Sequence, residues 1–290
     1  MLRALAGSVV ALVLAPGAAG AAGPLERYVP VVVHDSRERS PLTSVEAFAG
    51  TLPGIPAGRP TPTVYGRQAG GRLQYWLLFA SNDQDRGILR TGRHAGDWEM
   101  VQYRIRDGAL VRGVYTQHSG AERCPVRAIR MTPRGHPLVF LANGSHAAYF
   151  VPGVRDRTWP DPNDEADGEG VRVRPRLVPI TAGTPAWMRD GRPWGGARAG
   201  WVPGEMDSPR GPAFQPQRRW SDPAAWARAA RSCTRTGCDE LGECDGRETR
   251  AAATAAGAGA LVALLYGWRR SRRVTAANAA AGATPPPAGR

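Results

Sequence analysis

Residues 92–105 read GRHAGDWEMVQYRI, and this stretch decides how the rest of the chain is interpreted. Successive side chains of a β-strand point to opposite faces, so Asp97 and Glu99 share a face while Trp98 points the other way. Apolar residues follow the two acids on their face. The alternation predicts a strand over Trp98–Arg106, with two carboxylates at the open end of a sandwich core.

Two like charges at the end of an apolar core need a positive partner, because burying unpaired carboxylates is costly. A divalent cation, Mg²⁺ or Ca²⁺, is one answer, since hard cations prefer carboxylate, carbonyl and water oxygens. His94, three residues before Asp97, would add a nitrogen ligand to such a site. The other answer is an ion-pair network with arginines such as Arg93. Spacing alone leaves both open.

Further histidines lie downstream of this stretch. His118 ends an alternating run, and His146 follows a strand-like segment that is broken at Asn143-Gly144. Four of the five histidines fall between residues 94 and 146. Each alone is more often a structural histidine, but together with the two acids they strengthen the case for a site, with His118 and His146 as weaker candidate ligands.

Short apolar or alternating runs, bounded by Gly, Pro and Asn, recur through the first two thirds of the chain and predict strands. These runs are Tyr28–His34, Leu73–Ser81, Trp98–Arg106, Leu110–His118, Val126–Met131 and Leu138–Ala142. The best helix candidate is Asp222–Arg231, with Asp222 as N-cap and Pro223 in the first helical position. The 36 glycines and 26 prolines suit many turns. We predict a mainly β domain over residues 24–230, an antiparallel β-sandwich with long loops.

The two ends of the chain predict an exported, membrane-anchored protein. Residues 1–21 have a basic start, a short apolar run and small residues before a cleavage site, as signal peptides do. Residues 251–268 carry no charge and precede RRSRR, which indicates a single transmembrane helix with a cytoplasmic, disordered tail at 269–290. The predicted location is the cell membrane, with the N-terminal domain on the extracytoplasmic side.

Composition narrows the class of partner. The formal net charge is +13, and every basic residue is arginine, which resembles the codon bias of a GC-rich genome. Part of this charge lies at the two ends, so the exported part is modestly basic and compatible with an anionic cell surface. Nucleic acid is a poor partner for such a chain, because no basic helix or aromatic–basic stripe is present.

The four cysteines predict disulfides in an oxidising compartment. Cys233, Cys238 and Cys244 cluster in a segment, residues 231–250, that we interpret as a stalk before the anchor, while Cys124 stands alone. Their spacing is poor for zinc, which favours C-x2-C pairs. The favoured arrangement is a membrane-proximal disulfide knot, with the connectivity left open.

Two weaker motifs complete the survey. The acidic loop around Asp164 and Asp167 superficially resembles a calcium loop, but Arg174 occupies the position where an EF-hand carries glutamate. A loop calcium site through Asp164 and Asp167 competes there with a solvated acidic loop. Ser145 lies beside His146, yet the surrounding residues lack the G-x-S-x-G elbow of serine hydrolases.

Four ordered blocks carry a resemblance to a known family over roughly residues 25–225. They resemble the signature blocks of the vacuolar protein sorting-associated protein 62 family, and they read YWLLFASND (Tyr75–Asp83), HAGDWE (His94–Glu99), YTQHSG (Tyr115–Gly120) and HPLVFLANGSHAAYF (His136–Phe150). Supporting pieces are YVPVVVHDSRERSP near the start, the acidic loop and GRPWG followed by SPRGP.

That family is similar, more distantly, to the necrosis-inducing proteins, whose G-H-R-H-D-W-E heptapeptide lines a divalent-cation pocket on a β-sandwich. By this resemblance His94 matches the first histidine, and residues 97–99 match D-W-E. Gly96 stands where the second histidine would be. The additional acid of that family would fall near Asn82 or Asp83. The resemblance implies His94, Asp97, Glu99 and Asp83 as metal ligands, with Trp98 and Asn82 around the pocket.

Three functions follow as expectations. The favoured one is a cation-assisted binding module for a polar head group, lipid or glycan, as the necrosis-inducing relatives bind sphingolipid head groups. The second is a metal-dependent hydrolase of phosphodiesters or esters, with His118 or His146 as general base. The third is a structural surface domain in which Asp97 and Glu99 pair with arginines. We favour a protein that is not an enzyme.

Overall fold

The computed structural model describes residues 23–84, 92–155, 163–181, 183–196 and 207–233. The signal peptide predicted for residues 1–21, the membrane span for 251–268, the tail for 269–290, and Cys238 and Cys244 of the predicted stalk lie outside these ranges. Within the described ranges no helix is both long enough and apolar enough to cross a membrane.

Strands dominate the described residues, as the composition predicts. Two short α-helices are present in these residues, Pro24–Arg27 (α1) and Pro223–Ala229 (α2). Short 3-10 helices lie at Val45–Phe48, Val126–Ala128, Ala186–Arg189 and Pro212–Phe214. The strands are β1 (Val31–Val33), β2 (Leu42–Thr43), β3 (Thr63–Ala69), β4 (Arg72–Asn82), β5 (His94–Arg106), β6 (Ala109–Gln117), β7 (Gly120–Pro125), β8 (Leu138–Leu141), β9 (Ala148–Tyr149), β10 (Gly153–Arg155), β11 (Asp164–Ala166), β12 (Arg172–Val173), β13 (Arg176–Pro179) and β14 (Arg231–Ser232).

An eight-stranded sheet forms the centre of the domain. Its strand order is β13-β3-β4-β5-β6-β7-β14, and β2 pairs with β4 outside this path. A four-stranded sheet has the order β12-β1-β8-β9, and β10 pairs with β11. The long strands β4 and β5 are neighbours over ten register pairs, from Arg72↔Arg104 to Asn82↔His94. This long pairing fixes where each side chain of the GRHAGDWE stretch lies.

Both faces of the large sheet are buried. On one face Val101 and Tyr103 of β5 join Val139 and Leu141 of β8 in a single hydrophobic cluster, so the four-stranded sheet packs here. On the other face Trp98 and Met100 pack in a second cluster with aromatic residues of the connecting segments. The predicted alternation of β5 is therefore confirmed. Each layer removes apolar side chains from water, which is the main driving force of folding.

The mainly β prediction is confirmed, but the strictly antiparallel arrangement is wrong. The central strands from β3 to β7 are antiparallel, as the predicted hairpins require. Three pairs are parallel: β1 with β8, β3 with β13, and β7 with β14. The partners in these pairs are far apart in sequence, and such long connections allow parallel pairing, whereas a tight hairpin does not.

Two predicted elements are displaced along the chain. The predicted strand begins at Trp98, but β5 begins four residues earlier at His94, which pairs with Asn82. A strand was expected at Val126–Met131, whereas β7 ends at Pro125 and a 3-10 helix follows. The turn at His118, with φ of +54°, brings residues 120–125 beside β6 instead.

The predicted helix is confirmed with shorter bounds. Helix α2 spans Pro223–Ala229, and the Asp222 carboxylate accepts a hydrogen bond from the Ala225 amide at 2.9 Å. This contact satisfies one of the free amides at the start of a helix. Trp226 is buried and anchors α2 on the second hydrophobic cluster.

A disulfide joins Cys124 on β7 to Cys233, which follows β14. The bridge confirms the predicted disulfide bonding and joins the isolated Cys124 to Cys233, a pairing that the sequence left open. Both sulfur atoms lie at the first hydrophobic cluster, where Cys124 is buried. All the described sheets, both main clusters and this bridge lie within residues 23–233, so this segment has its own core and meets the requirement for folding alone.

We expect the Cys124→Ser/Cys233→Ser variant to lose stability, because the bridge closes a loop of 109 residues. The chain-entropy estimate for a loop near this length is about 4.7 kcal/mol. Urea unfolding of residues 23–233 measures the difference. Dithiothreitol should lower the wild-type midpoint to that of the variant and leave the variant unchanged. Equal midpoints for both proteins without reductant would show that the bridge does not hold the fold.

Candidate functional site

The candidate site lies at the end of β5, where buried carboxylates meet a buried histidine. Asp97 and Glu99 are 7% and 5% exposed, although both are acids. Acidic side chains are almost never this buried unless they are paired. The sequence predicts that these two acids share the core-facing side of the strand, and their burial beside the first hydrophobic cluster agrees with it.

His146 is the positive partner of this acid pair. Its Nδ1 lies 2.8 Å from Oδ2 of Asp97, and its Nε2 lies 3.4 Å from Oε1 of Glu38. The imidazole is fully buried and stacks on the Phe79 ring, with centroids 3.8 Å apart. At 3.4 Å the Glu38 contact is an ion pair rather than a well-formed hydrogen bond. We call Glu38, Asp97, Glu99 and His146 the acid–histidine cluster.

The turn before β9 sets the position of His146. Residues 143–146 reverse the chain between β8 and β9, and His146 adopts φ of +54°, which is uncommon for a residue other than glycine. Gly144, with φ of +65°, sits so close to the Asp83 carbonyl that a Cβ would lie 2.4 Å from the oxygen. The Asn143-Gly144 turn predicted from sequence therefore places His146 over Phe79.

The charges of the cluster support one another. Burial alone would lower the pKa of His146, but its bonds to Asp97 and Glu38 raise that pKa to about 9. Burial would raise the pKa of Glu38, yet His146 and the amides of Gly144 and Ser40 lower it to about 2. At neutral pH an imidazolium therefore lies between two carboxylates.

Glu99 is the weakly compensated member of the cluster. Burial, followed by the nearby charge of Asp97, raises the pKa of Glu99 to about 8, against the opposing effect of Arg219. Its Oε2 accepts a hydrogen bond from the Thr116 hydroxyl. Arg219 is 3% exposed and donates to the His118 carbonyl at 2.6 Å. Its buried charge is a second cation near the acids.

His34 borders the cluster in the neutral form. Burial lowers its pKa to about 4, and its Nε2 accepts from the Leu42 amide at 3.4 Å. The His34 ring meets the Phe79 ring in a T-shaped arrangement, whereas the His146 ring stacks parallel to it. Two histidines on one phenyl ring thus hold different charges, because only His146 has carboxylate partners at both nitrogens.

His94 does not join the acid–histidine cluster. Its Nδ1 lies 2.7 Å from the Gly96 carbonyl. Gly96 has φ of +67°, and a Cβ there would lie 3.0 Å from Cβ of Trp194 and 3.4 Å from the Phe48 ring. A histidine at position 96, as in the heptapeptide, would therefore be strained as well as crowded.

The neighbouring positions Asn82 and Asp83 have different environments. Asn82 is buried, and its Nδ2 lies 3.4 Å from Oδ2 of Asp97. Asp83 is exposed and pairs with Arg93 at 3.4 Å. Of the two positions left open by the sequence, Asn82 is the one beside the acids. Its Oδ1 is buried and has no hydrogen-bond partner among the described residues.

Trp98 was expected near the pocket but lies on the opposite face of β5. Its indole packs against Trp194, with ring centroids 5.0 Å apart, and stacks with Trp187 at 6.1 Å. Tyr65 completes this group at 5.8 Å. The D-W-E motif thus divides between two layers, because adjacent side chains of a strand face opposite ways.

A second polar network surrounds Asp164. The Asp164 carboxylate accepts from the hydroxyls of Ser145 at 2.8 Å and Tyr149 at 2.6 Å, and it lies 2.7 Å from Nε2 of His118. Ser145 bonds to the acid and not to His118 among its described contacts, so these groups do not form a serine-hydrolase triad. The His118 side chain is 24% exposed.

Asp164 and Asp167 of the acidic loop bond to different partners and do not converge on a shared calcium position. Asp164 is 3% exposed and is held by the network of Ser145, Tyr149 and His118. Asp167 accepts from the Ser36 and Glu169 amides instead. Burial raises the pKa of Asp167, but the hydrogen bond from the Ser36 hydroxyl and those from the two amides lower it overall. The two carboxylates therefore act as separate hydrogen-bond acceptors that fasten the loop.

Sequence reasoning missed Glu38, Thr116 and Arg219. Glu38 lies in the loop after β1, far from the acids in sequence, and reaches His146 because the two sheets pack together. A charged residue in such a loop carries no periodic signal. In the sequence, the segment containing Glu38 serves only as support for the family resemblance.

An open groove of about 440 Å³ adjoins the cluster. Ser40 connects the two, because its amide donates to Glu38 at 2.6 Å and its hydroxyl accepts from the Ser81 amide at 3.0 Å. Most of the lining is proline, threonine and serine. The lining residues are Arg39, Ser40, Pro41, Leu42, Thr43, Pro60, Thr61, Pro62, Ala80 and Ser81.

The donors at the acids have the chemistry that a hard cation prefers, but they are few. Among the described residues no three His, Cys, Asp or Glu side chains are grouped as metal ligands. A cation held by Asp97 and Glu99 would therefore use the free Oδ1 of Asn82, water or ligand oxygens to complete its coordination. Buried carboxylates need a positive partner, and His146 and Arg219 already provide positive charge near Asp97 and Glu99.

Comparison with known proteins gives structural matches only. No protein-family model and no curated protein matches the chain, so the resemblance to the vacuolar protein sorting-associated protein 62 family gains no support. Solved structures that match the chain include proteins described as toxin-fold and necrosis-inducing proteins.

Three of these structures indicate the degree of similarity. A protein described as a toxin fold for microbial attack and plant defense is 14% identical, covers 68% of this chain and 87% of its own, and gives a TM-score of 0.38. Necrosis and Ethylene inducing Protein 2 from the causal agent of witches' broom disease of cocoa is 16% identical, with 55% and 74% covered and a TM-score of 0.35. NLPPya in complex with glucosamine is also 16% identical, with 59% and 80% covered and a TM-score of 0.35.

We expect the folded protein to lose stability between pH 6.5 and 9. The raised pKa of His146 means that its stabilising charge is complete below 6.5 and disappears as the pH rises through about 9. For a shift of this size the loss is up to about 3 kcal/mol. Glu99, with a pKa raised from 4.5 to about 8, adds to the loss, because its ionisation is unfavourable in the folded state.

Urea unfolding at several pH values tests this expectation. His146→Gln should flatten the decline between pH 6.5 and 9. His136→Gln is the matched control, since the pKa of His136 is lowered by burial and its titration falls below this range. A wild-type protein with constant stability from pH 6.5 to 9 would contradict the assigned charge of His146.

Proposed function

We propose that the chain is an extracytoplasmic binding module that uses a divalent cation at Asp97 and Glu99 to bind a polar head group of a lipid or glycan. The observation that carries the proposal is the pair of buried acids beside a buried Asn82 oxygen that lacks a partner. Burying charge and leaving a polar atom unpaired both cost stability. Such costs are typical of functional sites.

The electrostatics favour a cation at this position. His146 lies between Glu38 and Asp97, which leaves Glu99 with the more distant charge of Arg219. A divalent cation beside Glu99 and Asp97 would stabilise both carboxylates in their ionised form. With two protein carboxylates and one amide oxygen as ligands, several coordination positions would remain for water or for hydroxyl and phosphate oxygens of a ligand.

The adjoining groove has a mainly apolar lining with a few polar groups that a head group could contact. Arg39 offers a positive charge to a phosphate, and the hydroxyls of Ser40, Thr43 and Thr61 offer hydrogen bonds to sugar or glycerol oxygens. Because Ser40 is bonded to Glu38, a ligand in the groove would contact a residue that is held by the acid–histidine cluster. NLPPya has been crystallised with glucosamine and with mannosamine, and these amino sugars are suitable first probes.

A catalytic role is the second candidate, and one observation favours it. His118 is partly exposed and is oriented by Asp164 at 2.7 Å, as a general base often is. His146 is unsuited to this role, because its raised pKa keeps it protonated at neutral pH.

The proposed location, outside the cytoplasmic membrane with a C-terminal anchor, rests on residues 1–21 and 251–268.

Metal analysis of residues 23–233 purified without chelator tests the proposal. We expect about one Mg²⁺ or Ca²⁺ per chain, and a higher melting temperature when the ion is added. At a hundred times its dissociation constant, a ligand that binds the folded state adds about 2.7 kcal/mol to the free energy of unfolding. Asp97→Asn/Glu99→Gln should abolish both the bound metal and the shift.

Asp107→Asn/Glu169→Gln is the matched control, because it removes two exposed acids outside the cluster, and Asp107 follows the opposite end of β5 from Asp97. This variant should bind metal as the wild type does. A wild-type protein without bound metal, with a melting curve unaffected by Ca²⁺, Mg²⁺ or EDTA, would contradict the cation proposal. The acid–histidine cluster would then be a structural ion-pair network.

Turnover of phosphodiester and ester substrates separates binding from catalysis. The binding proposal predicts no hydrolysis above the buffer rate. Hydrolysis that is lost in both Asp97→Asn and His118→Asn would overturn the binding proposal and establish the hydrolase.

A further inference from the structure

Three arginines form a row across strands β4, β5 and β6 of the large sheet, at the end of these strands near the β5–β6 turn. Arg72 of β4 is the register partner of Arg104 of β5, and Arg104 is the register partner of Arg112 of β6. Directly opposed residues point to the same face of a sheet, with Cβ atoms about 4.5–5.5 Å apart. The row therefore presents three positive charges on one face.

Helix α2 adds a fourth arginine to this row. The side chain of Gln102, two residues before Arg104 on the same face, donates to the Pro223 carbonyl at 3.1 Å, so α2 lies on that face. Burial, followed by the charges of Arg104 and Arg228, lowers the pKa of Arg72. We call Arg72, Arg104, Arg112 and Arg228 the arginine face.

The fold does not neutralise the arginine face. In the described residues none of its four arginines forms an ion pair, although other arginines do so. The charge of Asp222 opposes the lowering of the Arg72 pKa, but the Asp222 carboxylate accepts a hydrogen bond from the Ala225 amide. Arg104, Arg112 and Arg228 are exposed. Like charges placed opposite one another destabilise a sheet, so this row costs stability unless an external anion binds.

We propose that the arginine face binds the anionic phospholipid surface of a membrane. Strands lie about 4.8 Å apart, so the three sheet arginines form a flat row that can meet several phosphates at once. Each basic residue held near an anionic leaflet strengthens binding by about fivefold.

The course of the chain favours a membrane over another polyanion. The register partner of Arg112 on β7 is Pro125, next to Cys124, and Cys124 is bonded to Cys233, the last described residue. Cys233 therefore lies on the β7 side of the sheet, close to the row. The segment predicted to cross the membrane begins at Ala251, 18 residues after Cys233, and this short connection would keep the row within reach of the bilayer. The surface is separate from the acid–histidine cluster, and its binding does not depend on metal.

Sedimentation with lipid vesicles tests this inference on residues 23–233, which lack the predicted span. We expect binding to phosphatidylcholine vesicles that contain roughly 30% phosphatidylglycerol, weakening as salt rises, and little binding to phosphatidylcholine alone. Arg104→Gln/Arg112→Gln should weaken binding by about 30-fold, from about fivefold for each arginine. EDTA should have no effect, which separates this surface from the proposed cation site.

Arg59→Gln/Arg134→Gln is the matched control, with the same change in charge at two exposed arginines outside the row. Its affinity should stay within about twofold of the wild type, because the lost charges lie away from the contact surface. The row variant should melt no lower than the wild type, since it loses opposed like charges. Equal weakening in both variants, equal binding to the neutral vesicles, or binding to heparin without binding to anionic vesicles would each overturn the proposal.

Discussion

The contact between His146 and its two carboxylates is the interaction on which the rest of the site depends. Asp97 belongs to the large sheet, His146 to the turn before β9, and Glu38 to the loop after β1. One buried imidazolium therefore connects the two packed sheets at their common end. Removing any partner would leave an uncompensated buried charge, which is strongly destabilising. The position of Glu99, and hence of any cation, follows from this arrangement.

The sequence predicted the parts of this site that depend on local periodicity. Alternation along β5 assigned Asp97 to the core side, and Asn143-Gly144 predicted the turn that carries His146. Glu38 and Arg219 were not predicted, because they arrive through packing between distant segments. The parallel edge pairs were missed for the same reason. The alternation of side chains also does not predict the left-handed conformation of Gly96, which lies between His94 and the acids in the chain.

The domain contains two opposite solutions to excess charge. The acid–histidine cluster encloses its carboxylates with internal cations, away from water. The arginine face leaves like charges opposed on the surface, where solvent and salt screen them. Both arrangements cost stability relative to neutral residues, and each would be relieved by a ligand of opposite charge. The fold provides stability elsewhere, through two hydrophobic layers on the central sheet and the Cys124–Cys233 bridge.

The protonation state of His146 tests the central claim most directly. Nitrogen-15 NMR of residues 23–233 with labelled histidine distinguishes an imidazolium from either neutral tautomer, and His146→Gln assigns the signal. Both ring nitrogens should be protonated at pH 7, with a transition near pH 9. A neutral imidazole at pH 7, titrating at or below 6.5, would mean that the buried acids are not balanced by His146 and that the account of the site is wrong.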